Sequence, residues 1–504
     1  MKKVLIIGAG IGGLSAAIQL AFHKYDVTVL EKSHQPGGKI NQTKHNGFTF
    51  DTGASFIMAK EIYDDFFNSV DRKVEKYITL KKLTESSKFF FANGKTFSLS
   101  TDANLIRKQI SELFPGDEKG LDQFNKIGKE IYELMYHGPK LARRNYNRFF
   151  GFDYIFDPRV ISKFHHLRFW QTWEQLVNKC FKSNYLRQIF SYQSTFVGMT
   201  PSEALATYSF LTWMEITQGL YEVQGGVYGI IQGFYKLASE LGVKFEFNQE
   251  VMKLNTVENK IISVSTKTDN FNADIFINNG DAAYFYINLL PKNIPTQYTE
   301  NSFKKMKHSC TFFTINLGIK KPIPKLSHHS IFFSNQPEDN FKLINTPNSI
   351  NKFNFDNFSY YLTQPTLSQP SLAPKGKAVL FILAPVCGYD PKLQWSSYEN
   401  NFKEFIYDVM EKRDHIPIRS LIEEEIVISP AQWGQQYNLW ENIILGPGHN
   451  FFQVNGFRIP NKSKEIDNLF FVGGSTIPGA GVPTCITSGE LVTERIVDIY
   501  HPCG

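Results

Sequence analysis

An α/β fold is predicted for this 504-residue chain on three grounds. A strand, a glycine turn, a helix and a second strand open the chain in that order. An acid ends the second strand. Another strand, glycine turn and helix close the chain roughly 460 residues later. Together they imply a Rossmann-type nucleotide-binding domain assembled from both ends, with the residues between forming a mixed-sheet plus helical region.

The opening unit runs Val4-Leu5-Ile6-Ile7, then Gly8-Ala9-Gly10-Ile11-Gly12-Gly13, then an apolar helical run over 14–20. In this G-x-G-x-x-G pattern Gly8 permits the tight turn, and Gly10 lets the backbone approach a pyrophosphate. Gly13 lets helix and sheet pack closely, while the helix N-terminus offers unpaired N–H groups to the phosphates. The second strand spans 26–30 and ends on Glu31, 18 residues after Gly13, placed to accept a hydrogen bond from a ribose hydroxyl. Next come Pro36-Gly37-Gly38-Lys39, more backbone N–H groups and a cation for the pyrophosphate, and Phe50-Asp51-Thr52-Gly53.

Composition narrows the class. Hydrophobic content of 42% and charged content of 20% describe a globular chain, long enough for two or more domains. A net charge of +6, spread along the sequence, gives weak support for an anionic membrane surface and little for nucleic acid. The 45 Phe and 23 Tyr are attributed mostly to AT-rich coding bias, the remainder to a large apolar ligand or a membrane-facing surface. Five scattered cysteines without a C-x-x-C pair suit a reducing cytosol, and no H-x-x-x-H or H-E-x-x-H spacing points to a metal. The pairs His165-His166 and His328-His329 do not converge on one ion. Residues 4–22 mimic a signal or membrane segment, but their four glycines and the following strand fit the nucleotide fold instead.

Further along, residues 88–91 and 96–99 read as strands around a turn at Asn93-Gly94. From 106 to 220 the apolar spacing is helical, through Ile106, Ile110, Phe124, Ile127, Ile131 and Leu134. Basic and aromatic residues interleave over 143–152 and continue through Arg159, Lys163, Phe164, Arg168, Phe169 and Trp170. That pattern suits either a helix at a lipid interface or a core-packed helix with a solvated basic face. A strand and turn at 221–226, a helix over 227–241, a strand near 242–251, a hairpin over 252–268 and a strand over 273–279 follow. Alternating strand-like runs in 286–415, such as 311–317 and 378–383, suggest a mixed sheet walling an apolar pocket.

The chain closes with a buried strand through Phe470-Phe471-Val472, the turn Gly473-Gly474-Ser475, then Gly479-Ala480-Gly481-Val482-Pro483 and a helix over 487–500. Nicotinamide-binding domains are usually contiguous. A dinucleotide held by motifs at both ends of the chain is better explained as an extended flavin, so the expected cofactor is FAD.

These motifs together resemble the phytoene-type carotenoid desaturases, a family that includes dehydrosqualene desaturases and diapocarotenoid terminal oxidases. Phe196-Val197-Gly198-Met199-Thr200-Pro201 and residues 371–377 extend the similarity over nearly the whole chain. Ala54-Ser55 stands where such desaturases often carry a proline, and residues 473–478 mix features of the desaturase and oxidase branches. The resemblance implies an amine-oxidase/glutathione-reductase-like FAD-binding domain with flavin contacts at Gly8, Ala9, Gly10, Gly12, Gly13, Glu31, Lys32, Gly38 and Lys39. It implies further contacts at Val251, through its backbone to adenine, and at Gly473, Gly474 and Val482.

The domain expectation is 1–105, 221–285 and 416–504 for FAD, 106–220 for a helical, membrane-associating insert, and 286–415 for the substrate. The implied activity is insertion of conjugated double bonds into a linear polyprenyl precursor of phytoene or dehydrosqualene type. Terminal methyl oxidation or isomerisation within the family, and an amine or protoporphyrinogen oxidase outside it, are the rival enzymes; a flavin-free lipid escort is the non-enzyme rival. No catalytic side chain is singled out: Arg148, Asp153 and Asp157, in the helical insert, could reach a pocket, with a solvated face the favoured reading. Lacking a second nucleotide fingerprint, the chain is expected to pass electrons to oxygen or a membrane quinone, in the cytoplasm and peripherally on its membrane.

Overall fold

The computed structural model describes residues 1–137 and 161–501. The run 143–152, with Arg148, and the residues Asp153, Asp157 and Arg159 lie outside them. The first layer is a five-stranded parallel sheet in the order Leu469–Phe471, Ile275–Asn278, Lys3–Ile7, Asp26–Glu31 and Lys244–Phe247. Its central strands are continuous apolar runs because helices or other elements cover both faces; Ile6, Val29, Ile277 and Phe470 are fully buried.

Helix Ile11–Phe22 packs against both Gly229–Glu240 and the C-terminal helix Val482–Tyr500. The second contact is close: a Cβ on Gly489 would lie 2.5 Å from Ser15 Oγ, and that hydroxyl donates to Ile486 O at 2.8 Å. The first and last helices of the described chain thus interlock over one sheet.

A second, seven-stranded sheet runs Ile422–Ile428, Thr311–Ile319, Ala378–Val386, Tyr360–Thr363, His329–Phe333, Glu85–Phe91, Thr96–Ser100. All its neighbours are antiparallel except His329–Phe333 beside Glu85–Phe91. The sheet therefore draws strands from outside 286–415, at both 85–100 and 422–428. Part of the aromatic richness is structural here: Phe90, Phe332 and Tyr360 stack across three strands at 4.6 and 4.9 Å between ring centroids.

The helical region begins with Ala103–Leu113, whose N-terminus Asp102 caps by accepting from Asn104 N and Leu105 N. Glu118–Tyr136 follows, and Phe210–Thr217 packs on it where Gly128 leaves room for Trp213. Residues 161–217 otherwise form short helices rather than one long amphipathic one. Among the described residues no helix is long and apolar enough to cross a membrane.

Candidate active site

The first strand ends at Ile7, and the chain turns at Gly8 with φ +99°, a region closed to most side chains. Gly8 N donates to Leu30 O (2.7 Å), and Gly37 N donates to Ala9 O (2.9 Å), tying the turn to the second strand and to the 36–39 turn. No side chain caps helix Ile11–Phe22 at Gly10. Its leading N–H groups are therefore available to an anion in the adjoining cavity.

Glu31 is buried and held from two sides. Its Oε2 accepts from Ala9 N at 2.8 Å and its Oε1 from Ser33 N at 2.9 Å. Each carboxylate oxygen retains acceptor capacity, so the pose orients the acid without exhausting it. Gln249 N donates to Glu31 O (2.9 Å), which brings Val251 to the same part of the cavity wall. Lys32 lines it too, with Nζ donating to Asn438 Oδ1 at 2.8 Å.

Asn279, just past the strand Ile275–Asn278, joins the two glycine turns. Its Nδ2 donates to Gly8 O at 3.0 Å. A Cβ would lie 3.0 Å from that amide if added at Gly10 or Gly473, and 2.8 Å if added at Gly12. Backbone from both chain ends therefore converges around one side chain, leaving a groove that only glycine keeps open.

The C-terminal turn is held by Arg458. Its guanidinium, 3% exposed, donates to Gly474 O (2.8 Å), Thr476 O (2.9 Å) and the carbonyls of Pro447, Gly448 and Gln453. Burial pushes its pKa down to about 10, which leaves it charged at neutral pH.

One cavity of about 510 Å³ joins these parts, within the range of ligand sites. Gly8, Gly10, Gly12, Glu31, Lys32 and Gly38 line it from the N-terminal side. Lys39, Val251, Gly473, Gly474 and Val482 complete that wall. Ala9 and Gly13 do not face it. Ala9 is buried and lends its N–H to Glu31, and a Cβ on Gly13 would sit 2.3 Å from Gly8 O, so this glycine serves packing. The cavity continues between Phe56, Tyr192, Phe196, Phe210, Met214 and Leu383, an apolar and aromatic extension beyond the glycine cradle. Lys39 donates from Nζ to Ile444 O at 2.6 Å, and burial lowers its pKa against the nearby Cys485 and Asp281. The uncapped helix, the oriented acid and the Cβ-free groove fit an extended dinucleotide.

Asp51, in the element before Gly53, accepts from Val227 N (2.6 Å), Gln42 Nε2 (3.1 Å) and Tyr228 N (3.4 Å). Removal from water nonetheless raises its carboxyl from 3.8 to about 6. A folded value above the unfolded one means that this group's stability is fullest below about pH 4 and is lost as pH rises through about 6. Asp51→Asn is expected to flatten the stability slope between those values, a difference of at most about 3 kcal/mol. Urea midpoints at pH 5 and pH 7.5 check it; a slope unchanged in the variant would assign the dependence elsewhere.

A family of flavin-containing amine oxidoreductases matches residues 11–497, and the chain belongs to it. The protein is accordingly an FAD-dependent oxidoreductase of amine-oxidase-type α/β fold. Among its relatives, a zeta-carotene-forming phytoene desaturase of Myxococcus xanthus is 30% identical, the alignment covering 100% of this chain and 95% of that one. A 4,4'-diapolycopene oxygenase of a Methylomonas species is 29% identical, covering 98% of each. An oxidoreductase from Methanosarcina mazei has a similar solved fold, with TM-score 0.64 and 16% identity over 98% of this chain and 100% of that one.

Sequence reasoning missed Asn279 and Arg458. The first was visible only as a polar residue at a strand end, and the second as a basic residue in a loop.

Proposed function

We propose that the protein is an FAD-dependent carotenoid desaturase that introduces conjugated double bonds into a linear polyprenyl precursor. The observation that carries this reading is the cavity's continuation from a dinucleotide cradle into an apolar, aromatic-walled space, taken with relatives named for carotenoid substrates. A polyprenyl chain offers shape and apolar area for recognition and almost nothing else. Gly8, Gly10, Gly12 and Gly38 would leave room for the pyrophosphate, Glu31 would accept from the ribose, and Val251 would meet the adenine. Gly473, Gly474 and Val482 would hold the far part of the cofactor, with Lys32 and Lys39 supplying cations nearby. Bound FAD supplies the two-electron acceptor for a hydride from an allylic C–H. The protein orients that bond and excludes water with rings such as Phe196 and Phe210.

Peripheral membrane association on the cytoplasmic side belongs to the same proposal, with oxygen or a lipid-soluble quinone reoxidising the flavin. Phe164, Phe169, Phe451, Phe452 and Phe457 form a chain of neighbouring rings, and Trp170, Phe452 and Phe457 are at least 64% exposed. Such aromatics, with Lys163 and Arg168 beside them, suit a headgroup boundary.

Pigment analysis tests the activity. Cells making only phytoene or only dehydrosqualene are expected to gain longer-wavelength polyene absorption when they express this chain. Oxygen gained by a supplied carotenoid instead would place the protein with the oxidases. No change with either would favour amine oxidation.

A further inference from the structure

Behind the apolar cavity lies a chain of polar groups for which the functional reading so far has no use. Tyr361 and Ser55 both line the cavity, and their hydroxyls lie 2.8 Å apart. On the far side the Tyr361 hydroxyl is 2.6 Å from His329 Nδ1. Tyr361 and His329 sit on adjacent antiparallel strands, the former opposite Ile331, so their side chains meet diagonally on one face. His329 Nε2 is 3.1 Å from His328 Nδ1, and His328 Nε2 points toward Glu222 Oε2 at 3.8 Å.

That last gap borders a second cavity of about 30 Å³, room enough for a water. His328, Glu222, Asp51 and Asn316 line it, with Ala54, Ser55 and Phe381 shared between it and the large cavity. His328 Nε2 and both amide atoms of Asn316 are buried without a protein partner, the usual signature of a bound water. Glu222 is buried and accepts from Ser368 Oγ and from Gln369 Nε2 at 3.1 Å, with Lys81 Nζ 3.5 Å away and exposed. Its surroundings are donors, as an anionic carboxylate requires.

We propose that Tyr361, His329, His328 and Glu222 form a proton relay that carries the substrate's departing proton from the apolar cavity, through a water in the small cavity, to the buried Glu222 carboxylate. The inference rests on the desaturation reading. With a hydride removed to the two-electron acceptor that bound FAD would supply, an allylic cation would remain on the substrate. The neighbouring C–H must then break, its electron pair becoming the new double bond and its proton leaving. An apolar cavity offers no water to take that proton. Tyr361 oxygen accepts it while passing its own proton to His329 Nδ1. His329 gives its Nε2 proton to His328 Nδ1, and His328 gives its Nε2 proton through the water to the Glu222 carboxylate. The substrate loses one hydride and one proton, and Glu222 gains the proton. This direction requires both imidazoles to start neutral with hydrogen on Nε2. Burial favours the neutral rings, pushing His328 down to about 4 and His329 well below the ordinary histidine value, and the tautomer is left to the test below. Glu215 and Asp51 are the other acids facing this group. Tyr361 would be the catalytic residue, and the histidines and Glu222 would position and conduct.

Two measurements on the FAD-loaded protein test the relay. In ¹⁵N-histidine NMR, His329 and His328 are expected as neutral Nε2–H tautomers, with the His329 Nδ1 signal moving in Tyr361→Phe; a proton found on His329 Nδ1 would overturn the proposal. In anaerobic single turnover with phytoene or dehydrosqualene, Tyr361→Phe and Glu222→Gln are expected to bind flavin normally. They should reduce it at least ~10-fold more slowly, and lose the solvent deuterium isotope effect of the unaltered protein. Because the cation is high in energy, net flavin reduction reads proton departure. If neither polyprenyl reduces the flavin in the unaltered protein, the desaturation reading fails and the relay with it, whereas reduction at unaltered rates in both variants overturns the relay alone.

Discussion

Arg458→Met is expected to yield a colourless protein that melts well below the parent. The guanidinium is buried with five backbone carbonyls around it, two of them from the turn that carries Gly474 and Thr476. Methionine fills similar volume but donates nothing. Each carbonyl left unpaired in the interior costs about 1–3 kcal/mol. Some of that is offset because a buried charge no longer has to be desolvated, so a net loss of about 3–5 kcal/mol is expected. The turn should then drift from the cavity wall, and flavin should be lost on purification. Arg458→Lys should recover little, since one ammonium cannot reach carbonyls spread around a planar fork. Thermal melting and the flavin-to-protein absorbance ratio measure both effects. A yellow Arg458→Met protein with the parental melting point would show that the turn is held by other contacts.

Gly13→Ala is the second large expected effect, and it works through a single methyl group. The added carbon would sit 2.3 Å from the carbonyl oxygen of Gly8. That oxygen has little freedom, because it accepts from Asn279 Nδ2 while Gly8 N is bonded to the second strand. Either the helix moves off the sheet or the turn moves off the cofactor. Overpacking of this kind costs typically about 1–3 kcal/mol, and with the turn displaced a fall in FAD affinity of roughly 10–100-fold follows. Titration of apoprotein with FAD, read by flavin fluorescence, gives the number. Affinity within twofold of the parent would mean that the helix absorbs the strain without moving the turn.

The parts of the fold legible in the sequence are those whose cause is local. The strand–turn–helix units at 4–20 and 469–500 announce themselves because glycine spacing and apolar runs act within about twenty residues. The hairpin around Asn93-Gly94 is equally local: Gly94 takes φ +82° there. What the sequence conceals is which distant segments meet. Nothing in 85–91 signals a parallel partner at 329–333, and nothing marks Ile422–Ile428 as an edge of the same sheet. For that reason the residues 85–100 and 422–428 read as parts of other regions. Of the cavity wall, the glycines and Glu31 were legible from their motif, whereas Asn279 and Arg458 act only through tertiary placement. The pair His328-His329 shows the same limit. Adjacency in the chain says nothing of what the two rings face, and only the neighbouring strand brings the Tyr361 hydroxyl to His329.

The interlocked first and last helices have a consequence for biosynthesis. While a ribosome extends the chain, helix Ile11–Phe22 is made about 460 residues before its cover at Val482–Tyr500. Strand Ile275–Asn278 likewise waits for Leu469–Phe471 to close the sheet edge. At ordinary elongation rates of about 5–20 residues per second, that interval is roughly 25–100 s. During it an apolar helix face and an unpaired strand edge are open to aggregation, and the flavin has no complete place to bind. Shielding that apolar face until residues 469–500 have been made would favour the native sheet over aggregation, and the cavity wall is complete only once both helices have met.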